Sequence, residues 1–204
     1  MFNHRIRQKV YEFLKKYRMD YASINIEEDV KIFLKEMENG LEGNKSSLKM
    51  IPTYLNVEKD IPTEEPVIVM DAGGTNFRVA LVYFNKNREP VIEDFNIYAM
   101  PGTKSEITAE EFFDTLALYI KPLLDRSNNI GFCFSYPAEI LPNKDGRLID
   151  FCKEVQVKGA RGRLIGESLI NAINKIGHKS KKKVVILNDA VSTLFGAKAS
   201  YADR

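Results

Sequence analysis

The feature that most constrains the fold is the stretch 67–84, VIVMDAGGTNFRVALVYF, in which two apolar segments flank a short polar turn. The first segment is continuously apolar, as expected of a strand covered on both faces. In the second, apolar side chains recur with period two, at Phe77, Val79, Leu81 and Tyr83. Gly73 and Gly74 are able to adopt positive φ and to leave backbone N–H groups unshielded. The stretch therefore predicts a β-hairpin whose turn either serves only chain reversal or holds an anion.

The residues after the glycines add side-chain donors to this turn. Thr75, Asn76 and Arg78 carry hydroxyl, amide and guanidinium groups that are able to contact an anionic oxygen. Neither GxxxxGK[ST] nor a GxGxxG that opens a helix occurs in the sequence. Because a strand rather than a helix follows the glycines, a P-loop and a Rossmann fingerprint are both excluded.

The composition is that of a globular chain without strong charge bias. The 204 residues are 44% hydrophobic, and 30 basic against 28 acidic side chains give a net charge of +2. Such a charge argues against nucleic acid or a membrane as a partner. The sequence has no apolar run of membrane-spanning length and no signal-peptide pattern at its start, so we expect a cytoplasmic protein. Two widely spaced cysteines and two histidines predict neither a disulfide framework nor a zinc site.

The first part of the chain predicts helices followed by a linker. Apolar side chains recur at helical spacing over 6–17 and again over 30–41, and Asn25 is placed to cap the second helix. We expect Gly40 and Gly43 to end that helix. Prolines oppose regular structure from there to residue 66. The sequence therefore predicts one region of helices and linker, 1–60, and a second region, 61–204.

The second region predicts an α/β fold. A third antiparallel strand is expected over 91–98, a capping box begins a helix at Thr108, and short apolar segments predict buried strands over 130–135 and 184–187. A further short strand is expected over 148–155, and a helix over 164–176. We interpret the basic run 179–183 as a solvated turn rather than a nucleic-acid contact.

Three polar groups follow or interrupt these apolar segments, where loops often carry ligand contacts. Ser135 ends one predicted strand, Lys153 emerges from an apolar surround, and Asn188 and Asp189 follow the strand 184–187. Each has an ordinary structural alternative: a turn at Ser135, an exposed lysine, and a helix N-cap at Asp189. The residues alone leave both interpretations open.

In this order the segments resemble those of the hexokinases, within the actin, Hsp70 and sugar kinase superfamily. The segment 71–79, DAGGTNFRV, is similar to the hexokinase phosphate hairpin, and 134–137, FSYP, to the Phe-Ser-Phe-Pro segment beside the sugar. Asn188 and Asp189 match the start of Asn-Asp-Thr-Val-Gly-Thr, although Ala190 and Ser192 depart from it. Lys153 matches the lysine of Trp-Thr-Lys-Gly-Phe, but its neighbours depart from that motif at Phe151, Cys152, Glu154 and Val155.

The resemblance implies a fold and an activity. The fold is a ribonuclease H-like mixed β-sheet flanked by helices, the small lobe of a hexokinase, which runs into the large lobe near 188–204. The implied activity is ATP-dependent phosphorylation of a hexose, with glucose expected, at its 6-hydroxyl. The implied general base is Asp189, and the implied sugar ligands are Ser135, Lys153 and Asn188. Asp71 is implied to bind Mg²⁺ through water, and phosphate contacts are implied for Gly73, Gly74, Thr75, Asn76 and Arg78.

The resemblance covers only the first part of a complete hexokinase. A complete hexokinase continues through a larger lobe that holds the adenosine pocket and further sugar ligands. We therefore expect this chain to be the amino-terminal half, inactive alone, with exposed apolar helix faces that favour self-association. Two alternatives remain. One is a non-catalytic sugar-sensing or regulatory module, which substitutions such as Cys152 favour. The other is a bacterial ROK-type sugar kinase or repressor, which the absence of a Cys-rich zinc motif disfavours.

Overall fold

The computed structural model describes residues 2–56, 60–151, 154–179 and 181–200, and the chain divides into two units, Met1–Ile51 and Pro52–Arg204. The predicted boundary between residues 60 and 61 adjoins 57–59, which lie outside the described residues. Within the described ranges, none of the helices combines the length and the apolar character needed to cross a membrane.

The first unit contains two helices, α1 (Phe2–Lys16) and α2 (Ile26–Leu41). As predicted, Asn25 caps α2, because its side-chain oxygen accepts a hydrogen bond from the Glu28 N–H at 3.3 Å. The prediction that Gly40 ends the helix is wrong, since Gly40 lies inside α2. A Cβ there would stand 1.9 Å from the Leu48 carbonyl oxygen, so only glycine fits. Gly43, with φ of +76°, follows the helix end as predicted.

Both helices of this unit present apolar side chains to solvent. Each of the following is about half exposed: Ile6, Val10, Phe13, Val30, Phe33 and Leu34. An exposed apolar surface of this kind is typical of an interaction surface. Self-association through it stays a prediction.

The second unit is built on a five-stranded mixed sheet. Its strands are β1 (Val67–Ala72), β2 (Asn76–Phe84), β3 (Pro90–Ala99), β5 (Asn129–Phe134) and β9 (Lys183–Leu187). They lie side by side in the order β3-β2-β1-β5-β9. The first three pair antiparallel, as the predicted hairpin and third strand require, whereas β5 lies parallel to both β1 and β9. The predicted mixed sheet flanked by helices is therefore confirmed.

Shorter elements surround this sheet. Two strands, β4 (Ile107–Thr108) and β8 (Val157–Lys158), pair in parallel, and β6 (Ala138–Ile140) and β7 (Gly146–Leu148) form a hairpin. The helices are α3 (Ala109–Ile120), which starts at the predicted capping box, α4 (Ile165–Lys175) and α5 (Asp189–Ser200). The strand predicted over 148–155 is wrong for the described residues, because β7 ends at Leu148, and residues 152 and 153 lie outside the described ranges. One further backbone hydrogen bond follows, from the Ile149 N–H to the Pro137 carbonyl at 2.9 Å, and no regular pairing continues over the described residues after it.

Helices α3 and α4 cover one face of the sheet. Their apolar side chains form a single core with Ile68, Met70 and Ala72 of β1, all of which are fully buried. Val67 and Val69 point to the other face and are only half-buried. The prediction that β1 is covered on both faces is therefore wrong for the described residues, since its side chains alternate between a packed and a half-open face.

A buried carboxylate fixes the start of α4. Leu164, which precedes the helix, provides no side-chain cap. Instead Asp145, only 9% exposed in the β6–β7 loop, accepts hydrogen bonds from the N–H groups of Gly146 and Gly166 at 2.6 Å and of Glu167 at 3.0 Å. The β6–β7 loop therefore supplies the acceptor that the first turn of α4 needs.

One lysine of the basic run is part of the core rather than of a solvated turn. Lys182 is 7% exposed, and its ammonium group donates to the carbonyl oxygens of Leu124 and, at 2.7 Å, Ser127. Burial lowers the pKa of Lys182. Lys181 and Lys183 are exposed, as predicted for the run. The solvated-turn interpretation is wrong for Lys182, because its chain end meets loop carbonyls that need donors.

Candidate active site

Three neighbouring strands end at one edge of the sheet. In the parallel set β1, β5 and β9, Asp71 lies opposite Cys133, and Cys133 lies opposite Leu187. The chain leaves these strands at Gly73, Ser135 and Asn188 respectively. In α/β sheets the carboxyl ends of parallel strands are the usual position of a ligand site. The structure therefore brings the phosphate turn, Ser135 and Asn188 together at the carboxyl ends of these three strands.

The predicted phosphate turn closes β1 and β2. The N–H of Gly73 donates to the Asn76 carbonyl oxygen at 3.2 Å, and the Thr75 carbonyl accepts from the Met100 N–H at 3.0 Å. A Cβ on Gly73 would lie 3.3 Å from the Asn76 oxygen, so the turn fits tightly around this glycine. Thr75 and Asn76 are exposed, which leaves their side chains accessible to a ligand.

Asp71 and Arg78 form an ion pair beside this turn. They are directly opposite in the β1–β2 register, and Arg78 Nη1 lies 2.8 Å from Asp71 Oδ2. Both side chains are partly exposed, at 44% for Arg78 and 32% for Asp71. The guanidinium predicted to contact phosphate is thus held by the carboxylate predicted to bind Mg²⁺. A guanidinium has five N–H donors, so this pairing leaves others for an anion.

Cys133 occupies the centre of the same edge and was not predicted as a site residue. Its thiol lies between Asp71 on β1 and Ser192 on α5. Burial raises the pKa of Cys133, the Ser192 hydrogen bond opposes this rise, and the carboxylates of Asp71 and Asp189 add to it. A raised pKa favours the neutral thiol over the thiolate, which is the nucleophilic form of cysteine. The sequence carries no local signal for this placement, because cross-strand register brings Cys133 beside Asp71.

Asn188 and Asp189 lie where β9 gives way to α5. Asn188 Oδ1 accepts from the Ala190 N–H at 3.0 Å, and its backbone carbonyl accepts from the Ser192 N–H at 2.9 Å. Asn188 is therefore the N-cap of α5. The structural alternative considered from the sequence assigns that capping role to Asp189. Asp189 is the first residue of α5 and is exposed, so a ligand is able to reach its carboxylate.

The segment after β5 contacts the phosphate turn. The Ser135 N–H donates to the Ala72 carbonyl at 3.3 Å, and the Tyr136 hydroxyl donates to the Gly73 carbonyl at 2.5 Å. Sequence reasoning missed Tyr136, because a tyrosine in an apolar segment gives no local sign of a partner 63 residues away. Lys153 and Cys152 lie outside the described residues, so the role of Lys153 stays a prediction.

Comparison with known proteins places this arrangement in a family. The chain is 30% identical over 202 residues to hexokinase-2 of Equus caballus, a match that covers 94% of this chain and 22% of that protein. It is 31% identical over 166 residues to human hexokinase-3, covering 78% of this chain and 18% of the relative. The chain thus spans about a fifth of the length of these curated relatives.

Solved structures of hexokinases also resemble this chain. The chain superposes on the hexokinase of Schistosoma mansoni complexed with glucose with a TM-score of 0.71 and 26% identity, over 98% of this chain and 46% of that one. A second hexokinase crystal structure, at 21% identity and a TM-score of 0.64, shares the fold. The hexokinase family model matches residues 9–199. By its sequence and by its fold, the chain belongs to the hexokinase family.

Proposed function

We propose that the complete protein transfers the γ-phosphoryl group of ATP to the 6-hydroxyl of a hexose, with glucose as the expected sugar, and that this chain is its amino-terminal half. One observation carries the proposal: Asp71, Ser135, Asn188 and Asp189 lie at one edge of the sheet, at the ends of three parallel strands. The glucose complex of the Schistosoma mansoni relative supports the choice of sugar. The chain spans less than half of that relative, so the activity belongs to the complete protein.

In this mechanism the chain positions the sugar and accepts its proton. Ser135 and Asn188, together with Lys153, hold the sugar hydroxyls, which fixes the reacting oxygen. Asp189 then accepts the proton of the 6-hydroxyl as the phosphoryl group arrives, so its ordinary carboxylate basicity is sufficient. The exposure of Asp189 at the start of α5 gives a sugar hydroxyl access to it.

The residues of the β1–β2 turn suit Mg²⁺-ATP. Mg²⁺ keeps several waters and binds through one or two carboxylates plus substrate phosphates. Asp71 provides one such carboxylate, and the described part of the chain contains no group of three or more metal-ligating side chains that would form a complete protein cage. When bound, Mg²⁺ neutralises charge that develops on the transferred phosphate. The N–H groups of the turn and Arg78 would bind phosphate oxygens.

Replacing Asp189 in the complete protein tests the mechanism. We expect Asp189→Ala to lower kcat at least about 100-fold, since general-base catalysis contributes a factor of this size, with sugar affinity largely retained. Asp114→Ala is the control, because Asp114 pairs with Lys175 on the helical face of the same unit. Retained turnover in Asp189→Ala would remove Asp189 from this role.

An assay of ATP consumption with glucose, fructose and mannose distinguishes this proposal from a sugar-sensing module. A kinase consumes ATP in proportion to the sugar phosphorylated. A non-catalytic module of the same fold binds sugar, as measured by calorimetry, without turnover. Sugar binding without ATP consumption by the unaltered complete protein would therefore contradict the kinase proposal.

A further inference from the structure

Tyr136 connects three segments of the candidate site. Its side chain is 2% exposed, and its hydroxyl donates to the Gly73 carbonyl of the phosphate turn at 2.5 Å. Its ring lies 5.2 Å from that of Phe134 at the end of β5 and 5.0 Å from that of Phe151, which shortly precedes Lys153. The contacts with these two rings fix the position of the Tyr136 hydroxyl. A side chain of the segment 134–137, which is predicted to contact the sugar, therefore holds the Gly73 carbonyl.

This hydrogen bond sets the orientation of one peptide group. In a planar trans peptide the carbonyl oxygen and the following N–H point in opposite directions. Because the Gly73 carbonyl points to the buried Tyr136, the Gly74 N–H points away from that side chain. Within the described ranges, the Gly74 N–H donates to no backbone carbonyl. A backbone donor presented in this way is suited to an anionic oxygen.

We propose that Tyr136 is a positioning residue that orients the Gly73–Gly74 peptide, so that the Gly74 N–H is presented to a phosphate oxygen of the nucleotide. The proposal rests on the proposed function for its ligand. The hexokinase segment that 134–137 resembles has phenylalanine at this position, so the hydroxyl is a feature of this chain. The sugar segment thereby supports the phosphate turn directly, through one side chain.

The first test measures the turn itself. In Tyr136→Phe the ring remains and only the hydroxyl is lost. We expect the Gly73 N–H, which donates to Asn76, to exchange with solvent about fivefold faster, the factor for a lost hydrogen bond of about 1 kcal/mol. Tyr119→Phe is a matched control, because the Tyr119 hydroxyl also donates to a backbone carbonyl, that of Ala99 at 3.3 Å. The control is expected to leave Gly73 exchange unchanged.

The second test measures ligand binding by the ¹⁵N-labelled chain. We expect Mg²⁺-tripolyphosphate to shift the Gly74 amide resonance of the unaltered chain and to bind Tyr136→Phe about fivefold more weakly. Glucose affinity, measured from the Ser135 and Asn188 resonances, is expected to stay within about twofold. A purely structural role of the hydroxyl would instead weaken the binding of both ligands together.

The outcomes separate the two proposals. Unchanged Gly73 exchange in Tyr136→Phe overturns the inference, whatever the chain binds, and so does unchanged tripolyphosphate affinity. If the unaltered chain does not bind tripolyphosphate, the phosphate role of the turn in the proposed function fails. In that case Gly73 exchange in the two variants still decides whether the Tyr136 hydroxyl holds the peptide.

Discussion

Arg78 Nη1 lies 2.8 Å from Asp71 Oδ2 across two neighbouring strands, so these two oppositely charged side chains beside the phosphate turn form an ion pair. Both remain partly exposed, and ion pairs of this kind contribute about 0–1 kcal/mol to stability. The ion pair therefore holds the Arg78 guanidinium in position but contributes little to the free energy of unfolding.

Replacing Arg78 with alanine is expected to separate ligand binding from stability. The free energy of unfolding in urea should change by less than about 1 kcal/mol. Affinity for Mg²⁺-tripolyphosphate should fall about tenfold, because a charge-assisted hydrogen bond is lost. Arg126→Ala is the control, since Arg126 pairs with Glu93 and Asp94 of β3 and is equally exposed. Equal loss of affinity in both variants would argue against a phosphate contact by Arg78.

Replacing Asp145 with alanine is expected to destabilise the second unit by about 3 kcal/mol, because three backbone N–H groups lose a buried charged acceptor. Urea unfolding followed by circular dichroism measures the change. Asp150→Ala, in which the replaced carboxylate is exposed, provides the comparison and should stay within about 0.5 kcal/mol of the unaltered chain. A similar effect of the two replacements would show that the Asp145 cap is unimportant.

Lys182→Met is expected to cost about 2 kcal/mol of stability. Methionine keeps an unbranched apolar side chain in the buried position but leaves the carbonyl oxygens of Leu124 and Ser127 without their donor. Lys181→Met changes an exposed neighbour of the same run and should leave the unfolding midpoint in urea unchanged. If the two variants unfold at the same midpoint, the buried contacts of Lys182 contribute nothing.

Glu36 is expected to make the first unit sensitive to acid. The Ser47 N–H donates to its Oε2 at 2.7 Å, and this bond, with those from the Ser47 and Ser46 hydroxyls, lowers the pKa of Glu36. A carboxylate whose folded-state pKa is lowered stabilises the fold above its unfolded-state pKa of about 4.3, and the stabilisation is lost as pH falls through the folded-state pKa.

The test of this pH dependence compares Glu36→Gln with the unaltered chain between pH 7 and pH 3. We expect the variant to be less stable at neutral pH and the difference in unfolding free energy to shrink as the pH falls. Glu38→Gln, an exposed position on the same helix, should show no such convergence. A difference for Glu36→Gln that stays constant down to pH 3 would contradict the predicted linkage.

Much of this fold was predictable from local patterns. Period-two alternation from Phe77 to Tyr83 identified β2, the capping box at Thr108 identified the start of α3, and Asn25 identified that of α2. These signals are local, since the residues that form each element also specify it. The alignment of Ser135 with Asn188 was likewise predictable in outline, because polar groups followed two buried strands.

The features that the sequence did not reveal all depend on partners far along the chain. Lys182 has the sequence context of a solvated lysine, and only the fold brings it to the carbonyls near residue 124. Gly40 looks like a helix terminator until the Leu48 backbone is seen beside it. Tyr136 and Cys133 joined the site through cross-strand register and the positions of loops, which composition and spacing do not determine.

The position of Asp145 has a further consequence, for the order of folding. The acceptor for the first turn of α4 lies 21 residues before Gly166, in a loop that exists only once β6 and β7 have paired. We therefore expect the start of α4 to fray in any partly folded state in which β6 and β7 have not paired, because the N–H groups of Gly166 and Glu167 then lack their acceptor.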